Sequence, residues 1–135
     1  ETGKVLNHLG RFYILAKNYK GAEESLKRAS DILQQNSHPE SYRSFELLGD
    51  LYMSEKQPLL NKEAAKDNYN KSLELALKYF SENSVNVNRV KGKINNLEIN
   101  SWKSRGNFNG IHVRITRANI GGILNRWLMR FYKSK

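Results

Sequence analysis

A chain of 135 residues, 39% hydrophobic and 27% charged, has the length of one domain and the composition of the soluble globular class. No apolar run is long enough to span a bilayer and no N-terminal segment resembles a signal peptide. The absence of cysteine excludes disulfides, thiolate catalysis and cysteine-held zinc, without fixing the compartment, for which the cytoplasm is favoured. The net charge of +10 is concentrated: residues 1–85 carry 12 Lys+Arg and 12 Asp+Glu, whereas residues 86–135 carry 11 Lys+Arg and the single acid Glu98. That asymmetry points to an anionic partner for the last third. The chain begins Glu1-Thr2-Gly3 without a Met, so it reads as a fragment or a processed chain, and Glu-Thr-Gly resembles the scar of a secretion vector.

In chain order, a first helix is predicted over roughly 4–17, with Val5, Leu6, Leu9, Phe12, Tyr13 and Ala16 at helical spacing. Asn18-Tyr19-Lys20-Gly21 breaks it. A second helix, about 20–35, puts Ala22, Leu26, Ala29 and Leu33 on one face, and Asn36-Ser37-His38-Pro39 ends it. Pro39 suits the first turn of a third helix over roughly 39–54, with Tyr42, Phe45, Leu48, Leu51 and Tyr52 inward. Residues 55–62, with Pro58, form a loop before a fourth helix at about 62–80. The polar stretch Ser81–Asn88 is a second loop, followed by a fifth helix at about 88–105 carrying Val90, Ile94, Leu97 and Trp102. Gly106-Asn107-Phe108 is a turn with Asn107 as N-cap. A sixth helix covers about 108–120, Gly121-Gly122 interrupts it, and a seventh, about 122–133, sets Ile123, Leu124, Trp127, Leu128 and Phe131 opposite Asn125, Arg126, Arg130 and Lys133.

One pattern recurs. Leu9-Gly10 is followed by Tyr13, Tyr19, Ala22, Leu26 and Ala29; Leu48-Gly49 is followed by Tyr52, Ala65, Tyr69 and Ser72. A degenerate third copy has Trp102, Gly106, Phe108, Ile111, Ile115 and Ala118. The pattern resembles the tetratricopeptide repeat, a helix–turn–helix unit marked by L-G-x-x-Y and later small and aromatic residues. The resemblance implies an all-α, right-handed solenoid of three antiparallel helix pairs (about 3–36, 39–80 and 88–120) with 122–133 as a capping helix. The second copy has four extra residues in its turn, the turn length of the Sel1-like repeat, and the connection from Lys78 to Val90 resembles the longer repeats of kinesin light chains. Gly10 and Gly49 are expected to let paired helices approach closely, with Tyr13, Tyr52, Tyr69 and Ala22 filling the contact.

The resemblance also implies a function: a non-catalytic scaffold or adaptor holding a peptide segment of another protein in a concave groove lined by the first helix of each repeat. Aligned on the signature, the groove positions are Lys4, Asn7, His8, Arg11, Ile14 and Leu15; Arg43, Glu46, Leu47, Asp50, Met53 and Ser54; and Lys93, Asn96, Leu97, Asn100, Lys103 and Ser104. Lys4, Arg43 and Lys93 share a repeat position and are expected to form a basic row. Asn7, Asn96 and Asn100 can each offer a donor and an acceptor to a peptide backbone, and Leu47 and Met53 offer apolar contact. Chaperone-binding members of the family clamp a C-terminal carboxylate. At the clamp positions this chain has Asn7, Arg11, Leu47, Lys93 and Leu97, of which only Lys93 matches by type, so that specificity is not expected.

The basic third supports an alternative. Lys91, Lys93, Lys103, Arg105, Arg114, Arg117, Arg126, Arg130, Lys133 and Lys135 could neutralise the phosphates of nucleic acid or an anionic membrane. Arg114/Arg117 and Arg126/Arg130 each share a helix face. With Trp127, Phe131 and Tyr132, the seventh helix has the composition of an interfacial helix, of a cap with a solvated basic face, or of a self-association surface. Catalysis has no support. His8, His38 and His112 lie on separate elements without metal-ligand spacing, and no phosphate loop, nucleophile elbow or zinc motif occurs. No catalytic residue, metal or cofactor is assigned. The sequon Asn70-Lys71-Ser72 falls inside the fourth helix and reads as chance.

Overall fold

The computed structural model describes residues 1–54 and 61–105, with side chains as far as residue 100. Glu1–Arg105 forms one compact unit, entirely helical in its described residues. The helices are α1 (Thr2–Leu15), α2 (Tyr19–Gln35), α3 (Ser41–Tyr52), α4 (Lys62–Tyr79) and α5 (Val85–Arg105). The predicted Asn107 cap, the Gly121-Gly122 break and the helices expected at 108–120 and 122–133 lie outside the described residues, as do 55–60 of the first loop.

Local chemistry sets the boundaries. Asn18 and Asn61 cap α2 and α4, their side-chain oxygens accepting from the backbone N–H of Gly21 (3.1 Å) and Ala64 (3.0 Å). Lys17 (φ 60°) and Ser37 (φ 48°) take the left-handed conformation that turns the chain after α1 and α2. Two predicted starts are corrected. Pro39 precedes α3 rather than opening it, in a turn where His38 Nδ1 accepts from the N–H of Glu40 at 3.1 Å. The fifth helix begins at Val85, three residues before the predicted start, because the Ser84 hydroxyl accepts from the N–H of Val87 (3.3 Å) and converts the polar loop end into a cap.

Each helix packs on the next, and α1 also meets α3 directly. The glycines of the repeated motif sit at the tightest contacts. A Cβ at Gly10 would stand 2.5 Å from Cγ and Cδ2 of Leu26, and one at Gly49 would run into the Tyr69 ring. The core is a chain of small clusters. Ala22 and Leu26 join Leu47, Leu48 and Leu51; Tyr42 joins Ala76, Val87 and Val90; Ala65 and Tyr69 join Leu97. Ala22 and Tyr69 are buried as expected, whereas Tyr13 and Tyr52 are half-buried and close the edge of the first cluster. The two motif leucines part company: Leu48 is buried and Leu9 is exposed. The reason is position, since α3 has neighbours on both sides while this face of α1 has none among the described residues. Ser72 of the sequon is fully buried, its hydroxyl donating to the Tyr42 carbonyl at 2.8 Å.

Candidate functional site

Polar side chains tie α1, α3 and α5 together, although no two of these helices are consecutive. Asn7 on α1 is only 4% exposed; its Oδ1 accepts from the buried Ser44 hydroxyl on α3 at 2.7 Å, and its Nδ2 meets no acceptor among the described residues. On α3, Arg43, Glu46 and Asp50 follow at i, i+3 and i+7 and so share one face. On α5, Arg89 and Lys93 are one turn apart and reach across to that face.

Glu46 is the centre. It has no exposed surface, yet its carboxylate receives Arg43 Nη1 at 2.6 Å, Arg89 through Nε at 2.9 Å and Nη2 at 3.0 Å, and Lys93 Nζ at 2.9 Å. Burying a carboxylate is costly unless it is paired and hydrogen-bonded, and the two-pronged contact with Arg89 is the strong geometry for doing so. Burial pulls the Glu46 pKa up, but the hydrogen bonds of Arg89, Lys93 and Arg43 outweigh it and hold the carboxyl down to about 2. The same contact raises Arg89. Arg89 also donates to Tyr42 Oη (3.3 Å) and Asn86 Oδ1 (3.2 Å).

One turn along, Asp50 receives Lys93 Nζ at 2.7 and 2.8 Å and the Tyr69 hydroxyl at 2.7 Å. Burial, with Asp50 next, pushes the Tyr69 hydroxyl far up its scale, so it stays a donor. Three cations thus meet two carboxylates, leaving one positive charge in excess. The side chains of Arg43, Arg89 and Lys93 remain 27–37% exposed, so that charge is presented to solvent.

The structure redistributes the predicted groove. Arg43 and Lys93 do not form a free basic row with Lys4, because Glu46 and Asp50 lie on the same face and engage them. Leu47 is buried in the first cluster rather than offered outward, and Asn7 is spent on the α1–α3 contact. Met53 is half-buried against Tyr69 and Leu97. Lys4 is half-exposed, and Arg11, Asn96 and Asn100 are exposed. Lys103 lies on α5 beyond the described side chains, and Arg114, Arg117, Arg126 and Arg130 lie outside the described residues. Arg89 was not among the predicted site residues; a Glu at a groove position opposite an Arg and a Lys four apart was the signal for it.

No protein-family model, no curated protein and no solved structure matches this chain.

Proposed function

We propose that the chain is a non-catalytic interaction scaffold of the tetratricopeptide-repeat type, a right-handed solenoid of three antiparallel helix pairs with a capping helix. On this reading it holds an extended segment of a partner protein against α1, α3 and α5. The observation that carries the proposal is the direct linkage of these alternate helices: Asn7–Ser44 joins α1 to α3, and Glu46–Arg89 joins α3 to α5. Such linkage makes one continuous face from segments far apart in sequence. Its solvent-facing groups are Lys4, Asn96, Asn100 and the positively biased network, which favours a partner segment with acidic side chains or free carbonyls.

Changing Arg43 or Lys93 would disturb Glu46, so the test uses residues outside the core. Proteins crosslinked to the full chain in a lysate are identified by mass spectrometry, and the crosslinked segment is synthesised for titration. The Lys4→Ala/Asn96→Ala/Asn100→Ala variant is expected to bind that segment about tenfold or more weakly, a loss of about 1.4 kcal/mol or more, with its urea midpoint unchanged. Unaltered affinity refutes the reading.

A second reading, binding of nucleic acid or an anionic membrane, gains a sharper location. Arg89, Lys91 and Lys93 each have a carboxylate partner in Glu46, Glu82 and Asp50. Residues 106–135 carry Arg114, Arg117, Arg126, Arg130, Lys133 and Lys135 with no acid, so this binding would rest on them. Heparin retention, a nucleic-acid shift and liposome pelleting at two salt concentrations test it. Negligible binding at low salt ends it.

A further inference from the structure

The outward face of α1 is unlike the rest of the unit. Val5 (61% exposed), Leu9 (36%) and Phe12 (61%) stand at i, i+4 and i+7, an apolar stripe two turns long. Scattered exposed apolar residues are ordinary, but a helical row is not. The internal repeat shows what covers such a row. By the Gly10/Gly49 register the equivalents of Val5, Leu9 and Phe12 on α3 are Ser44, Leu48 and Leu51. All three are buried, because α1 and α2 lie over α3. The face on α1 is therefore shaped to receive a helix.

Charge identifies the kind of helix. Lys4, His8 and Arg11 each precede a stripe residue and form a parallel basic edge, and Thr2–Leu15 contains no Asp or Glu. The helix α2 offers a precedent for an acid at this junction. Its Glu23 accepts from the Tyr52 hydroxyl of α3 at 2.6 Å, and Tyr13 is the residue of α1 equivalent to Tyr52. We propose that the Val5–Leu9–Phe12 stripe is a docking face for an acidic amphipathic helix of a partner protein. Its apolar residues lie on the stripe and its carboxylates along Lys4, His8 and Arg11. This surface shares only Lys4 with the face of α1, α3 and α5, and its apolar stripe does not depend on that reading.

The probe is a 17-residue peptide with the sequence of α2, made acidic by Lys20→Glu, Lys27→Glu and Arg28→Glu, beside a version with Glu23, Glu24 and Asp31 changed to Lys. Each is titrated into the full chain by fluorescence anisotropy at low and high salt. The acidic peptide is expected to bind about tenfold or more tightly than the basic one, the gap closing at high salt, and to lose binding to the Phe12→Asp variant. Because Phe12 is exposed, that variant keeps its helical circular dichroism. Equal affinity for both peptides overturns the acidic partner, and no binding by either overturns the docking face. A wild-type dimer that Phe12→Asp converts to monomer assigns the stripe to a second copy and likewise overturns the proposal.

Discussion

Arg89 of α5 grips the fully buried carboxylate of Glu46 on α3 with two parallel hydrogen bonds, Nε at 2.9 Å and Nη2 at 3.0 Å. Removing either partner strands charge. Glu46→Gln leaves three cations around an amide and is expected to cost about 2–3 kcal/mol. That is less than the roughly 3–5 kcal/mol for a wholly buried partner, because the cations can still reach water. Arg89→Ala strands the buried anion instead, and Arg43 and Lys93 compensate only in part. Urea unfolding followed by circular dichroism checks both. An unchanged midpoint for Glu46→Gln would show that the network contributes nothing net.

The same carboxyl sets an acid sensitivity. Its folded pKa, about 2, lies below its ordinary 4.5. The stability it contributes is therefore complete above about pH 5 and is lost as the pH falls from 4.5 towards 2, by about 3 kcal/mol in all. Urea midpoints measured at pH 7, 5 and 3 should drop mainly over the last interval. Glu46→Gln should remove most of that drop, and a variant that keeps the full slope would assign the acid sensitivity to other groups.

Three glycines on helices should answer differently to alanine. Gly49→Ala drives a methyl into the Tyr69 ring, which is pinned by its bond to Asp50, and Gly10→Ala drives one into Leu26. Each is expected to lose about 1–3 kcal/mol by overpacking. Gly92 on α5 has open space where its Cβ would stand, so Gly92→Ala should gain about 0.5–1 kcal/mol from reduced chain entropy. Thermal midpoints of the three variants decide the matter, and a destabilised Gly92→Ala would contradict this account of the α5 face.

Tyr52 joins α3 to α2 through its hydroxyl, which donates to Glu23 at 2.6 Å. Tyr52→Phe removes only that oxygen and is expected to cost about 1 kcal/mol. Lys27, which also bonds Glu23 at 2.6 Å, keeps the carboxylate paired. A double-mutant cycle with Glu23→Gln should return most of the loss as coupling.

Sequence alone located the five described helices, although two of their starts were moved by the structure. The 3.6-residue spacing of apolar residues and the interruptions at Asn18 and at Asn36–Pro39 are local features, and local features fix local structure. The repeated Gly10 and Gly49 announced two close helix contacts, because only an absent Cβ admits Leu26 and Tyr69 so near. What sequence could not rank was which exposed-looking polar residues would stay free. Asn7, Arg43 and Lys93 were equivalent candidates with Asn96 and Asn100 on paper. Their fates diverged through Ser44, Glu46 and Asp50, partners on other turns or other helices. Val5, Leu9 and Phe12 showed the same limit from the other side: their spacing marks an apolar face, but only the arrangement of α2 and α3 shows that nothing described covers it. Periodicity is written in the chain, whereas burial and pairing depend on which neighbour arrives from tens of residues away, and that only the tertiary structure decides.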